Sequence, residues 1–254
     1  MKEILESYKD WFESYVNDTI EKSSRASLNF ELKKEHTNRV MENMRLLADI
    51  KNLDEHGRCL CKIIGLFHDL GRFKQYDVYG TFKDDVTGSH GSIAVEVLKE
   101  ENRLDDLSLK DQEIVFKAIE YHNHLTVPDG ENQEITMYAD LIRDADKLDA
   151  YHLHTLENGR MYKLEDYSQE KPYSEEIVNA IMESQQADFR DIKYTHDRNL
   201  AIVALLFNIK LNASFEIIKR NNYMERMFKQ FPDDSTMRAA LVHCNHYVSE
   251  KTKT

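Results

Sequence analysis

The stretch IIGLFHDLGRF, residues 63–73, decides how the rest of the chain is read. Leu60, Ile63, Ile64 and Phe67 recur at helical spacing, so a helix is expected from about Glu55 to Leu70, with Gly71 as its stop. That apolar helix ends in two ionisable side chains, His68 and Asp69. Burying such groups without partners is expensive, so an adjacent His-Asp pair at the end of a core helix implies something for it to face.

Working outward, the same feature recurs. Upstream, Val40, Met44 and Leu47 share one face of a helix expected over Glu31–Ile50, and His36 lies one turn before Val40 on that face. Downstream, Ser89 can cap a helix through about Lys99 that carries His90, Ile93, Val97 and Leu98. Ser108 can cap another through about Tyr121, with Ile114, Val115, Ala118, Ile119 and then His122 on one face. After the turn Pro128-Asp129-Gly130, a helix from about Glu134 turns Ile135, Tyr138, Ile142 and Asp146 inward. Imidazoles and carboxylates delivered from successive helices into a bundle core are how helical bundles build metal sites.

The chain opens with an amphipathic helix bearing Ile4, Leu5, Tyr8, Trp11, Phe12 and Tyr15. Phe73 to Gly88 shows no clean period and reads as a long loop, a candidate substrate lid. Asn158 to Ser174 is polar and aperiodic and marks a boundary; helices are expected beyond it near Ser174–Gln186, His196–Leu211, Ala213–Asn221 and Ser235–Glu250. The organisation is therefore an N-terminal helix over 1–30 packing on a core over 31–157, with a C-terminal helical extension over 158–254.

Composition supports helices and limits the partners. Only 8 Gly and 3 Pro punctuate 254 residues, too few for the turns of a sandwich or barrel. With 34 Lys+Arg against 46 Asp+Glu, the net charge of -12 disfavours nucleic-acid polymers and anionic membranes, so a bound phosphate needs positive charge concentrated at one place. Cys59, Cys61 and Cys244 are an odd, sparse set, expected as reduced thiols packed in cores. The N-terminus carries charges throughout and does not read as a secretory signal, and the most apolar run, Leu200 to Phe207, is too short to span a bilayer. A soluble, cytoplasmic protein is expected.

Four segments together, IIGLFHDLGRF, EHTNRV with His36, SHGSIAVEVL with His90 and RDADKLDAY with Asp146, resemble the HD superfamily over roughly Glu31 to His154. The resemblance implies an all-α HD-domain helical bundle with additional C-terminal helices. It implies His36, His68, Asp69 and Asp146 as the ligands of one metal, with His90 and His122 added in a two-metal branch where Asp69 bridges both ions. Divalent ions, two per chain, would be Mn, Fe, Zn, Ni or Mg. Asp69, Asp146 and Lys147 are the expected catalytic residues, and Arg72, Lys74, Lys83 and Lys147 the expected contacts to substrate phosphate. Asp144 is expected to orient a ligand histidine. His124 points away from the site if its helix continues and is kept only as an extra ligand or proton donor, while His152, His154, His196, His243 and His246 stay outside the site.

The activity implied is hydrolysis of a small phosphorylated substrate, a nucleotide, sugar phosphate or phosphodiester, by a metal-activated water. The sequence reads YHNHLTVPDGENQE where cyclic-dinucleotide phosphodiesterases of the HD-GYP branch have Gly-Tyr-Pro, which disfavours cyclic di-GMP. Two alternatives share the ligand set: a di-iron oxygenase of a polyol or organophosphonate, and a non-catalytic metal-binding or regulatory module. The oligomeric state is left open.

Overall fold

The computed structural model describes residues 1–156 and 167–253. Among these residues the chain forms α-helices joined by turns, and its only extended pairing is a single bridge between Ser168 and Tyr194. No described helix is long and apolar enough to cross a membrane. Two compact units divide the chain, Met1–Asp146 and Lys147–Thr254.

The first unit contains α1 (Lys2–Lys22), α2 (Ser27–Ile50), α3 (Glu55–Phe67), α4 (Leu70–Tyr79), α5 (Asp84–Thr87), α6 (His90–Glu100), α7 (Leu109–Tyr121) and the first part of α8 (Gln133–His154). α3 is its centre. Cys59, Leu60, Cys61, Ile63, Ile64, Leu66 and Phe67 are all buried, so this helix is apolar nearly all round and must be enclosed. α1, α2 and α7 enclose it, and α4 lies along α6. Each fully buried Leu, Ile or Phe contributes roughly 2 kcal/mol. The helix starts follow sequence chemistry: Asp54, Ser89 and Ser108 accept hydrogen bonds from the backbone N–H groups of Gly57, Ser92 and Asp111.

Two expectations need correction here. Gly71 does not stop a helix. The chain breaks at Asp69 (φ -103°, ψ 12°), so α3 ends at Phe67 and Gly71 sits inside α4. Gly71 serves close approach instead. A β-carbon there would meet the His90 carbonyl oxygen at 2.1 Å and the Ala94 nitrogen at 2.7 Å. The stretch expected as a loop from Phe73 to Gly88 is mostly helical, with only residues 80–83 and Gly88 outside α4 and α5. Its period is hidden because the inward residues after Gly71 are Phe73 and the fully buried but polar Gln75. Phe73 packs on Phe12 and Phe30, with ring centroids at 5.7 and 6.4 Å. Elsewhere α2 begins at Ser27, four residues before its expected start, and α6, α7 and α8 follow the expected ranges closely.

The second unit starts within α8 and adds α9 (Glu175–Met182), α10 (Asp197–Ala204), α11 (Asn212–Arg220), α12 (Tyr223–Phe228) and α13 (Ser235–Lys251). Its core gathers Ile177, Ile181, Leu200, Val203, Phe215, Ile218, Met227 and Cys244. The fully buried Asp197 accepts hydrogen bonds from the backbone N–H groups of Ser174 (2.7 Å), Lys193 (2.8 Å) and Tyr194 (2.9 Å), and from the Ser174 hydroxyl (2.5 Å). One carboxylate thus ties the starts of α9 and α10 together. The helix expected over His196–Leu211 divides into α10 and a 3-10 turn over Leu205–Asn208. α12 was not anticipated, because six residues are too few to show a period. Of the expected boundary at Asn158–Ser174, residues 158–166 lie outside the described residues.

Candidate metal centre

The break at Asp69 explains how the centre forms. α3 delivers His68 at its C-terminal end, and the turn into α4 swings Asp69 to the adjacent position, both buried. His36 reaches the same place from the middle of α2, His90 from the first position of α6, His122 from the residue that ends α7, and Asp146 from α8. The six residues singled out in the sequence therefore converge.

They form two groups that share Asp69. On one side, His36 Nε2 lies 3.3 Å from Asp69 Oδ2, 3.3 Å from Asp146 Oδ1 and 3.2 Å from His68 Nε2. On the other, Asp69 Oδ1 lies 3.2 Å from His90 Nε2 and 3.8 Å from His122 Nε2, and those two ring nitrogens are 2.9 Å apart. Within His36–His68–Asp69, and again within Asp69–His90–His122, the potential ligand atoms all lie within 4.8 Å of one another. Ligand atoms held about 2 Å from a common ion sit roughly 3 to 4 Å apart, so both groups fit a divalent metal.

The protonation pattern fits as well. His68 Nδ1 lies 2.8 Å from the Gly65 carbonyl and His122 Nδ1 lies 2.6 Å from the Ile119 carbonyl. A carbonyl only accepts, so each Nδ1 carries the proton and each Nε2 keeps its lone pair. His90 Nδ1 faces Asp84 Oδ2 at 2.6 Å and is fixed in the same sense. The lone pairs of His90 and His122 then point at each other, an arrangement that calls for a cation. Burial holds His68 down to about 3 and also lowers His122, so both rings are neutral near neutral pH. Burial alone would raise Asp69, but the Lys33 ammonium beside it outweighs burial and keeps the carboxylate well below its usual range. Neutral imidazoles beside ionised carboxylates are the state that binds metal.

The expected substrate contacts lie in different places. Arg72 is close to the centre, with Nε 3.6 Å from Asp69 Oδ1, but its Nη1 is committed to Asp84, Gln75 and the Phe82 carbonyl. Lys74 pairs with Glu100 at the end of α6 opposite His90. Lys83 is exposed just before α5, and Lys147 follows Asp146 along α8. Asp144 is fully buried on α8. His124 is exposed beside Tyr121, and His154, His196 and His243 find partners in Asn199, Phe231 and Ser184.

Sequence reading missed Lys33, whose Nζ sits 2.8 Å from Asp69 Oδ2, although its place three residues before His36 puts it on the same helix face. It also missed Asp84 and Asn123, which no periodicity marks, and His56, which pairs with Asp111 at 2.9 Å away from the centre. An open cleft of about 370 Å³ lined by Trp11, Tyr15, Asp18, Lys22, Asp77 and Glu101 shares none of these residues. Its acidic wall suits a phosphorylated ligand poorly.

A family model for the HD domain matches residues 34–151, a span that holds all six converging residues. The chain carries an HD domain. HD domains are generally metal-dependent hydrolases and bind divalent metals, and this one presents His/Asp groups that could hold such ions. No curated protein and no solved structure matches the chain.

Proposed function

We propose that this HD-domain protein is a phosphohydrolase that cleaves a small phosphorylated substrate at a dinuclear metal centre. The observation that carries the reading is Asp69, whose Oδ2 faces His36 while its Oδ1 faces His90 and His122. A carboxylate whose two oxygens turn to two different donor groups is suited to bridge two ions. His36, His68, Asp69 and Asp146 would hold one ion, and Asp69, His90 and His122 the other. When bound, such ions activate water and neutralise charge on a phosphoryl group.

The chain's own residues do the rest. The Gly65 and Ile119 carbonyls keep the His68 and His122 rings in one tautomer and one orientation. Lys33 and Arg72 bring positive charge to either oxygen of Asp69 and offset part of the negative charge of the carboxylates gathered there. Lys147 follows Asp146 and, with Lys83, is a further contact for phosphate. In a chain of net charge -12, the divalent ions this centre would hold are what would concentrate positive charge at one place and favour a phosphorylated substrate over a neutral one.

Metal analysis of the purified chain, followed by a phosphoester screen in each of Mn, Fe, Zn, Ni and Mg, tests the proposal. The expected result is about two ions per chain and metal-dependent release of phosphate or cleavage of a phosphodiester. Failure to bind any of these metals would overturn it. So would iron-dependent oxygen consumption with a polyol or organophosphonate and no phosphoester cleaved.

A further inference from the structure

Three histidines of the centre have their outer nitrogen fixed, and one of them differs in kind. His68 and His122 donate Nδ1–H to carbonyls three residues earlier in their own chain segment, Gly65 and Ile119. These locks are part of the backbone and come with the helix. His90 begins α6 and has no preceding turn to supply a carbonyl. Its Nδ1–H goes to the Asp84 carboxylate, from α5, at 2.6 Å.

Asp84 is held as firmly as it holds. Its Oδ1 accepts from Arg72 Nη1 at 2.8 Å and from Gln75 Nε2 at 2.9 Å, both on α4. Its Oδ2 accepts from His90 Nδ1 and, at 3.1 Å, from Asn123 Nδ2, just beyond α7. Gln75 is fully buried and also contacts the Thr87 hydroxyl, while Arg72 reaches the Phe82 carbonyl, so the segment on both sides of Asp84 is pinned. The carboxylate lies against Nδ1, whereas Nε2 faces Asp69, so Asp84 stands behind the imidazole and is not itself a ligand.

We propose that Asp84 is the positioning residue of His90, presenting Nε2 to Asp69 and thereby setting ion affinity in the Asp69–His90–His122 group alone. This rests on the metal-centre reading above. Removing the carboxylate frees the His90 ring to turn and to change tautomer, while His68 keeps its Gly65 carbonyl and His122 its Ile119 carbonyl. Ligand-supporting partners of this sort typically change metal affinity by about 10- to 100-fold. Arg72, placed by sequence among the substrate contacts, acts here through Asp84 as a brace for the same ring.

The test uses the full chain, stripped of metal, in wild-type, Asp84→Ala and Asp84→Asn forms. Calorimetric titration with Mn²⁺ is expected to show two binding events in the wild type. In Asp84→Ala one event should lose about 10- to 100-fold in affinity while the other stays within about twofold. Asp84→Asn keeps an acceptor for Nδ1–H without the charge and should fall between them. Equal weakening of both events, or no change in either, overturns the proposal. Imidazole ¹⁵N chemical shifts of the metal-free chain give a second readout that needs no ion. His90 should be in the Nδ1–H form in the wild type and mixed in Asp84→Ala, with His68 and His122 unchanged; an unchanged His90 overturns the positioning role. If the wild type binds fewer than two ions, the dinuclear reading fails and the affinity claim fails with it, but the ¹⁵N result still decides whether Asp84 sets the His90 ring.

Discussion

Asp69 in the first unit and Asp197 in the second are both buried carboxylates, and they live in opposite surroundings. Asp197 is met by four protein donors, three backbone N–H groups and a hydroxyl, at 2.5 to 2.9 Å. Its needs are filled by the fold. Asp69 has Lys33 at 2.8 Å and Arg72 Nε at 3.6 Å, but its remaining neighbours are histidine nitrogens at 3.2 to 3.9 Å, and the rings of His68 and His122 have spent their protons elsewhere. Burial is the same for both; the difference lies in whether the neighbours offer hydrogens or lone pairs. A carboxylate surrounded by hydrogens is a structural tie, and one surrounded by lone pairs is built for a cation.

The comparison can be broken most directly at Asp69. Asp69→Asn keeps the shape and removes the charge, and turnover should fall by on the order of 1000-fold, equivalent to about 4 kcal/mol, with loss of bound metal. Full metal content measured by elemental analysis, together with unchanged turnover, would make Asp69 a structural residue like Asp197. The reciprocal change, Asp197→Ala, strands four donors and should lower stability in urea by about 3 kcal/mol without changing metal content. A stable variant with altered metal content would reverse the roles assigned to the two carboxylates.

A smaller effect sharpens the contrast through the cysteines. Cys61 in the first unit and Cys244 in the second are fully buried, and burial pushes both thiols up to about 12 from an ordinary 9.0. Near pH 8 neither should react with a thiol reagent until its unit opens. Asp197→Ala should therefore speed labelling of Cys244, read by mass spectrometry of digested chain. The sign with pH follows from the raised values: these thiols favour the folded state below about pH 9, and that contribution disappears as pH rises from 9 toward 12. Rapid labelling of either cysteine in the intact wild type at pH 8 would contradict the packing described.

Much of the first unit was legible in the sequence because its signals are local. Ser89 and Ser108 mark helix starts by cap chemistry, and Ile63, Ile64 and Phe67 mark the central helix by period. His36, His90, His122 and Asp146 stood out as ionisable side chains on otherwise apolar faces, and the structure brings them to His68 and Asp69. The supports were not legible. Lys33 looks like any lysine of a charged run, and Asp84 sits in a stretch whose inward residue Gln75 is polar, so no apolar rhythm betrays the fold there. Gly71 was misread because a glycine after an apolar helix signals a stop equally well when its real reason is a neighbour distant in sequence.

That glycine has a consequence for how far the centre can drift. With the His90 carbonyl only 2.1 Å from where a β-carbon would stand, any other residue at position 71 acts as a shim between α4 and α6. Asp69 is fixed to one side of that seam and His90 to the other. The tolerance between them, 3.2 Å from Oδ1 to Nε2, is therefore machined by a hydrogen atom two residues past Asp69, in a side chain that never touches an ion or a substrate.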